Sequence, residues 1–236
     1  MPSTVDLNER LAVESQWFVD AVPIDRSNVA PANFLGFDTV QDEGITHLCG
    51  APADANISLS SNGQALKIQA SRSKYFVQPT EVEIRRDPQN APYLHIGLVY
   101  LEADAPPGFA AAMLWRIARG CHTLGISRIT LEAVGGRTTG AAGDGQRITG
   151  YYAWPRYGFE GLVQDPADTA LFRQFRHFPA GVSDGSVTSL LDLFSRRGGR
   201  QFWLIAGTRR ALAFEVAPTS RSVITLYKYL NEKGFL

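Results

Sequence analysis

Residues that form covalent or metal cross-links are scarce in this sequence. Cys49 and Cys121 are the only cysteines, and histidine occurs four times. Two cysteines cannot build the disulfide framework of a small secreted domain, and they have no zinc-finger spacing. The sequence also has no P-loop and no pattern typical of a nucleophilic triad. We therefore expect a reducing compartment and no metal centre.

The chain also lacks net charge and long apolar runs. Lysine and arginine together number 23, as do aspartate and glutamate, so no overall field favours DNA or an anionic membrane. No stretch of about 18 apolar residues occurs, and the start of the chain lacks a secretion signal. We expect no DNA or membrane partner, and a cytoplasmic protein or one delivered by a route without such a signal. A homodimer is a possible assembly.

No internal repeat or low-complexity tract interrupts the sequence. Its 236 residues are 44% hydrophobic and 19% charged, which is ordinary for a globular protein with a sizeable core. Changes of pattern suggest three segments: an N-terminal extension over residues 1–50, a core over residues 51–165, and a C-terminal extension over residues 166–236 that packs on the core. The first segment has a helical apolar patch followed by turn-forming residues.

Residues 93–134 form the segment around which we expect the fold to be organised. Residues 93–103 are apolar except for His95 and Glu102, which predicts a central strand covered on both faces. Two prolines and Gly108 then turn the chain into a helix that a later glycine ends. The apolar positions at helical spacing are Phe109, Met113, Leu114, Ile117, Cys121 and Leu124. With the strand that follows, this is a βαβ unit.

The same unit predicts where an anion binds. A right-handed crossover points the N-terminus of the helix at the crevice beyond the carboxyl end of the first strand. Free N–H groups and the helix dipole attract anions there. We expect the backbone N–H groups of Gly108, Phe109, Ala110 and Ala111 to hold a phosphate.

Antiparallel strands are predicted before this unit. Residues 57–59 and 65–70 flank Asn62-Gly63, a hairpin signal because both central residues of a type I′ turn need positive φ. Residues 81–86 alternate apolar and charged side chains, as a half-buried strand does.

The structure of the remaining residues is predicted from their composition and from the spacing of apolar residues. Glycine-rich residues 135–150 predict a mobile surface loop that closes over substrate, and the aromatic residues 151–159 predict a short helix that runs into a strand. We also expect helices over residues 170–178 and 187–194, strands over residues 202–205 and 211–216, and a last helix capped by Ser220.

The order of these elements and two short motifs resemble the GNAT N-acetyltransferase superfamily. In that family a turn of the form Gln/Arg-x-x-Gly-x-Gly/Ala holds the pyrophosphate of acetyl coenzyme A. Residues 105–110, APPGFA, are similar, with Ala105 at the Gln/Arg position. The family pattern Tyr-x-x-x-Gly-Phe is matched by residues 158–159, with Trp154 at the tyrosine position. The resemblance covers roughly residues 55–165.

A second resemblance lies in the C-terminal part. Residues 198–234 are similar to a tail that follows the motif Tyr-Tyr-x-Trp-x-Arg-x-Gly-Phe in GNAT-like domains of bacterial polymorphic toxins and phage-linked proteins. Both occur here in that order. The two resemblances imply an α/β fold with a GNAT-like mixed sheet, a central βαβ unit, and helical N- and C-terminal elaborations.

The resemblance implies an N-acyltransferase that moves an acetyl or similar group from coenzyme A to an amine by direct attack in a ternary complex. Acetyl-CoA would be a co-substrate, and the acceptor an unidentified amine. The residues implied in coenzyme binding are Tyr100, Leu101, Ala103, Gly108, Phe109, Ala110, Ala111 and Trp154.

Two residues are candidates for proton transfer. Glu102 ends a strand of apolar side chains, a setting that suits a general base, and the alternative is a salt bridge to a neighbouring arginine. Tyr152 lies two residues from Trp154 and is the candidate acid, with Tyr151 and Tyr157 as alternatives.

Other interpretations remain. The chain could be a catalytically degenerate GNAT fold acting as a binding or immunity module, or a transferase that uses another acyl carrier such as aminoacyl tRNA. The arginine groups near Arg196 and Arg209 indicate solvated surfaces, or a binding site for a phosphate or an acidic partner. His95 and Cys121 are interpreted as core residues.

Overall fold

The computed structural model of the protein describes residues 3–29, 40–62, 64–139, 148–175 and 179–236. The chain packs as two compact units, one of residues 1–130 with 215–236 and one of residues 131–214. This division falls inside two strands, whereas the segments predicted from the sequence ended at residues 50 and 165. Within the described residues, every helix is too short or too polar to cross a bilayer.

The described strands form a seven-stranded mixed sheet, so the predicted α/β class is confirmed. The strands follow the chain order across the sheet: β1 (Ile24–Asn28), β2 (Asn56–Ser61), β3 (Leu66–Ser71), β4 (Thr80–Arg86), β5 (Pro92–Leu98), β6 (Arg128–Gly136) and β7 (Thr208–Glu215). β1 is parallel to β2, and β2 to β5 form an antiparallel meander.

Helices connect and flank these strands. They are α1 (Glu14–Trp17), α2 (Asp42–Cys49), α3 (Phe109–Thr123), α4 (Gly150–Arg156), α5 (Thr169–Phe172), α6 (Leu190–Ser195), α7 (Gly199–Ala206) and α8 (Arg221–Glu232). The sequence-based interpretation missed β1, which lies in the stretch rich in turn-forming residues, and α2, a short helix that begins at the end of that stretch.

The predicted hairpin is present, with a wider turn than expected. Ser61 pairs with Leu66, which leaves four residues between the strands. The side chain of Asn62 accepts hydrogen bonds from the N–H groups of Gln64 and Ala65, at 3.0 and 2.9 Å. Asn62 thus closes the loop with its own side chain, as Asx turns do. Gly63 lies outside the described residues.

β5 differs from the fully covered strand predicted over residues 93–103. Leu94 and Ile96 are buried, but Tyr93 and His95 are half-buried and Gly97 is exposed. The Nδ1 atom of His95 lies 3.0 Å from the hydroxyl of Thr130. One face of β5 is therefore partly open, and the regular strand ends at Leu98.

α3 confirms the predicted helix and is more deeply buried than its pattern indicated. Every residue from Ala111 to Cys121 is buried, including Arg116 and Arg119. Gly125 follows the helix with φ of 71°, which a glycine adopts readily. Cys49 and Cys121 are core residues, and burial raises the pKa of the Cys49 thiol to about 12.

Three predictions after β6 had different outcomes. Residues 202–205, predicted as a strand, belong to helix α7, where Phe202 and Trp203 are buried and Leu204 and Ile205 are exposed. Their apolar run has the length of a strand, so periodicity alone could not separate the two. The strand predicted over residues 211–216 is β7. Half of the predicted mobile loop, residues 140–147, lies outside the described residues, and at its two ends Gly135 and Gly136 belong to β6 and Gly150 begins α4.

The last helix begins where the sequence predicts. The hydroxyl of Ser220 accepts a hydrogen bond from the N–H of Val223 at 3.1 Å and donates one to the carbonyl of Glu215 at 2.6 Å. The first of these bonds satisfies a backbone donor that α8 cannot pair internally.

We expect Ser220→Ala to lower the free energy of unfolding by about 1 kcal/mol, because the substitution removes this N-cap. Urea denaturation of the full chain measures the change. Thr219→Ala, at the exposed neighbouring position, is the matched control and should be nearly neutral. Equal stability of all three proteins would contradict the capping role.

Candidate functional site

The segment after β5 runs beside residues 75–77 within the first unit. The N–H of Val77 donates to the carbonyl of Tyr100 at 3.0 Å, and the N–H of Glu102 donates to the carbonyl of Tyr75 at 2.9 Å. Tyr100, Leu101 and Glu102 are half-buried, and Ala103 is exposed. The predicted base is therefore held by its backbone, with its side chain at a partly open position.

Gly108 forms the start of α3. Its φ of 89° is in the left-handed region that favours glycine, and it is the N-cap residue. The N–H of Phe109 donates to the carbonyl of Pro106 at 3.0 Å, so this predicted phosphate donor is already paired. Phe109 and Ala111 are buried, whereas Gly108 and Ala110 are half-buried. Of the four predicted backbone N–H donors, those of Gly108 and Ala110 therefore belong to residues that are partly exposed to solvent.

An aromatic cluster covers this helix start. The ring of Phe109 lies 4.6 Å from Tyr75, 5.4 Å from Phe18 and 5.6 Å from Trp17, between centroids. Phe235, next to the end of the chain, joins it at 6.0 Å from Trp17. A Cβ atom placed on Gly108 would lie 2.1 Å from Cε2 of Phe235. Phe235 therefore packs directly on the turn that the sequence predicts to hold the pyrophosphate.

The aromatic segment of the second unit forms α4. Tyr151 is buried, its hydroxyl donates to the carbonyl of Leu204 at 2.7 Å, and its own carbonyl accepts from Nε1 of Trp203 at 2.9 Å. Those bonds tie Tyr151 to α7, so it is a poor alternative to Tyr152 as a proton donor. The ring of Tyr152 is half-buried and lies 6.0 Å from that of Phe194.

Trp154, at the position where the resemblance implies a tyrosine, packs within the second unit. Its ring lies 5.2 Å from Phe159 and 6.1 Å from Tyr157, edge to face in both cases. Gly158 follows α4 with φ of 98°. Glu102 belongs to the first unit and Tyr152 and Trp154 to the second. Their catalytic and binding roles stay predictions.

One arginine expected on a solvated face is buried in the second unit. Arg210 is paired with the buried carboxylate of Asp168, which also pairs with Arg137. Its guanidinium lies 3.1 Å from Asp165 and donates to the carbonyl of Val163 at 3.1 Å. Arg210 is therefore a structural residue. Arg209, by contrast, is exposed as expected.

A buried ion triad in the first unit joins α1 to α3. The carboxylate of Glu14 lies 2.8 Å from Nη1 of Arg116 and also accepts from Arg119. Burial alone would raise the pKa of Glu14, but the hydrogen bond from Arg119 and the charges of both arginines outweigh it and lower that pKa below its usual range. Sequence reasoning missed all three residues.

A cavity of about 530 Å³ lies beside this triad, and its wall includes Arg10, Glu43, His47 and Arg119. His47 is buried on α2, and burial together with the charges of Arg116 and Arg119 lowers its pKa to about 4. Its imidazole is therefore neutral at physiological pH. The sequence signal for this wall is Glu43 followed four residues later by His47, a pair that only becomes meaningful once α2 is recognised as a helix.

We expect Glu14→Gln to lower the free energy of unfolding at pH 7 by about 3–5 kcal/mol, because it leaves two buried guanidinium groups without their carboxylate. Glu14 titrates below its ordinary value of 4.5 in the folded protein, so the folded state binds fewer protons than the unfolded state near that pH. Its contribution is complete above pH 4.5 and is lost as the pH falls through the folded pKa. The difference between the two proteins should therefore shrink in acid.

Urea denaturation at a series of pH values measures this difference. The control is Glu232→Gln, which removes the exposed pair with Lys228, whose charged atoms are 3.7 Å apart. That change should cost about 0.5 kcal/mol or less. A Glu14→Gln protein as stable as the control at pH 7, or a difference that grows in acid, would contradict the assignment.

Comparison of the chain with protein-family models, curated proteins and solved structures finds no match. The GNAT resemblance therefore rests on the motifs and on the order of the elements.

Proposed function

We propose that the protein is an acyl-CoA-dependent N-acyltransferase that transfers an acetyl or similar group to an amine. The observation that carries the proposal is the start of α3. There a left-handed Gly108 directly after a Pro-Pro turn opens a deeply buried helix that follows strand β5. A helix N-terminus preceded by glycine lets a pyrophosphate approach the backbone closely and adds the attraction of the helix dipole.

In this proposal the amine attacks the carbonyl carbon of the thioester directly. A C–N bond forms, the C–S bond breaks, the ammonium proton passes to Glu102, and the departing thiolate takes a proton from Tyr152. Glu102 suits the first role because its side chain is half-buried while its backbone N–H is held by Tyr75. Tyr152 suits the second because the hydroxyl of Tyr151 is already bonded to Leu204. Transfer of these protons in the transition state is general acid–base catalysis.

A second candidate function is favoured by a specific observation. The ring of Phe235 lies against Gly108, and the N–H of Phe109 is paired with Pro106. Coenzyme binding requires Phe235 to move away from the turn. If it stays in place, the fold is a binding module whose helix start is closed by Phe235.

Acetyl-CoA binding is the first test. A ligand at about 100 times its dissociation constant stabilises the protein by about 2.7 kcal/mol, so the wild type should show a raised Tm with acetyl-CoA. Ala110→Asp should abolish that rise, since its carboxylate repels the pyrophosphate while remaining compatible with the first turn of a helix. Ala217→Asp, at an exposed position before α8, is the matched control and should retain the rise.

Phe235→Ala separates the two candidate functions. For an acyltransferase, removal of the ring opens Gly108 and should tighten acetyl-CoA binding, measured by calorimetry. Absence of binding at millimolar acetyl-CoA in both the wild type and Phe235→Ala would exclude the acyltransferase and favour the closed binding module.

Chemistry is tested with acetyl-CoA and a panel of amines. Glu102→Gln and Tyr152→Phe should each lower kcat by about 100-fold or more, as loss of a general acid or base typically does, with little change in acetyl-CoA affinity. The control variants are Glu232→Gln and Tyr229→Phe, which remove a carboxylate and a phenol hydroxyl from α8 and should leave the rate unchanged. Full activity of Glu102→Gln across the pH range would remove Glu102 from the mechanism.

A further inference from the structure

Three potential metal ligands meet beside α2, and two of them, Glu43 and His47, line the cavity. Asp20, Glu43 and His47 each offer one ligand atom, and these atoms all lie within 4.8 Å of one another. Glu43 and His47 are four residues apart on the helix, so they share a face. Asp20 comes from the segment between α1 and β1.

Hydrogen bonds on both sides of Asp20 hold this segment in place. The N–H of Val22 donates to the hydroxyl of Thr46 on α2 at 3.3 Å. The carbonyl of Val19 accepts from Nη2 of Arg116 on α3 at 2.7 Å. The backbone of Asp20 is therefore fixed between two helices, independently of its side chain.

His47 supplies a second, independent indication of a ligand. Its side chain is 8% exposed, and its Nε2 atom is buried with no hydrogen-bond partner among the described residues. Buried imidazole nitrogens normally have a partner. One nitrogen of this ring lies within 4.8 Å of carboxylate oxygens of the exposed Asp20 and Glu43, and Glu43 and His47 line the cavity.

The charges around the cluster permit a cation. Arg116 and Arg119 share the carboxylate of Glu14, so this triad keeps one net positive charge. Against it, the carboxylates of Asp20 and Glu43 bring two negative charges to the cluster. Arg10 contacts Asp20 at 3.1 Å, but both side chains are more than half exposed, and such pairs contribute little. The carboxylate of Asp20 can therefore exchange Arg10 for an ion or use its second oxygen.

We propose that Asp20, Glu43 and His47 bind one divalent transition-metal ion of the Zn²⁺ type. An imidazole nitrogen with carboxylate oxygens suits Zn²⁺ and its neighbours, whereas Mg²⁺ and Ca²⁺ prefer oxygen ligands alone. In a tetrahedral site with bonds of about 2.1 Å, ligand atoms are about 3.4 Å apart, so the exposed carboxylates need only small rotations. Three protein ligands leave a fourth position, which would face the cavity.

The test uses the full-length chain, stripped with a chelator and titrated with ZnCl₂ by calorimetry and with CoCl₂ by visible absorption. We expect one equivalent of Zn²⁺ and Co²⁺ d–d bands of a low-coordinate site with a nitrogen ligand. Glu43→Gln and Asp20→Asn change exposed side chains and should preserve the fold. Each should weaken binding by at least about tenfold, since even outer-shell changes cost 10–100-fold.

His47→Gln should abolish the nitrogen-dependent spectrum. Because His47 is buried, this variant could lose its fold, and the two carboxylate variants then decide the question. His122→Gln, which changes an exposed histidine on α3, is the matched control and should bind as the wild type does. Absence of a bound equivalent in the wild type would overturn the proposal. Equal affinity of the wild type and both carboxylate variants, or loss of binding in His122→Gln, would do so as well.

Discussion

Glu14 pairs with two arginines on a helix that lies almost wholly inside the first unit. Arg116 and Arg119 are buried on α3, and buried charges without a partner are strongly unfavourable. The carboxylate that pairs with them comes from the short helix α1, so the N-terminal segment must fold against α3 for the core to be stable. Residues that appear from their pattern to be an extension are therefore part of the core of this unit.

Arg119 of this ion triad also lines the cavity beside α2. α2 packs against α3 where Gly120 faces His47, and a Cβ atom on Gly120 would lie 2.9 Å from the Cβ of His47. This close approach buries the imidazole beside the paired arginines, and Arg116 also holds the segment that carries Asp20. Arg116 of the ion triad thus helps to hold the segment of Asp20, while the triad supplies none of the ligands of the proposed metal site.

The start of α3 combines features that suit opposite functions. A left-handed glycine at a helix N-terminus suits phosphate binding, while an aromatic cluster with Phe235 at its edge covers that glycine. Phe235 follows α8 after Gly234, whose φ is 71°, and the carbonyl of Phe235 accepts from the N–H of Ala12 at 2.8 Å. Phe235 and the segment around Ala12 are therefore the parts that would have to move before a coenzyme could bind at Gly108.

Local patterns in the sequence determined the strand pairs β2 to β4, the helices α3 and α8, and the glycine at the start of α3. These elements follow from the spacing of apolar residues and from helix caps, both of which are set by residues close together in the sequence. The sequence could not separate helix from strand at α7, because a short apolar run suits both. It also left α2, the pairing of Glu14 with Arg116 and Arg119, the position of Phe235 and the meeting of Asp20 with His47 undetermined. Those features depend on contacts between residues far apart in the chain. Only the packing of the folded protein determines which buried charges pair and that Phe235 covers Gly108.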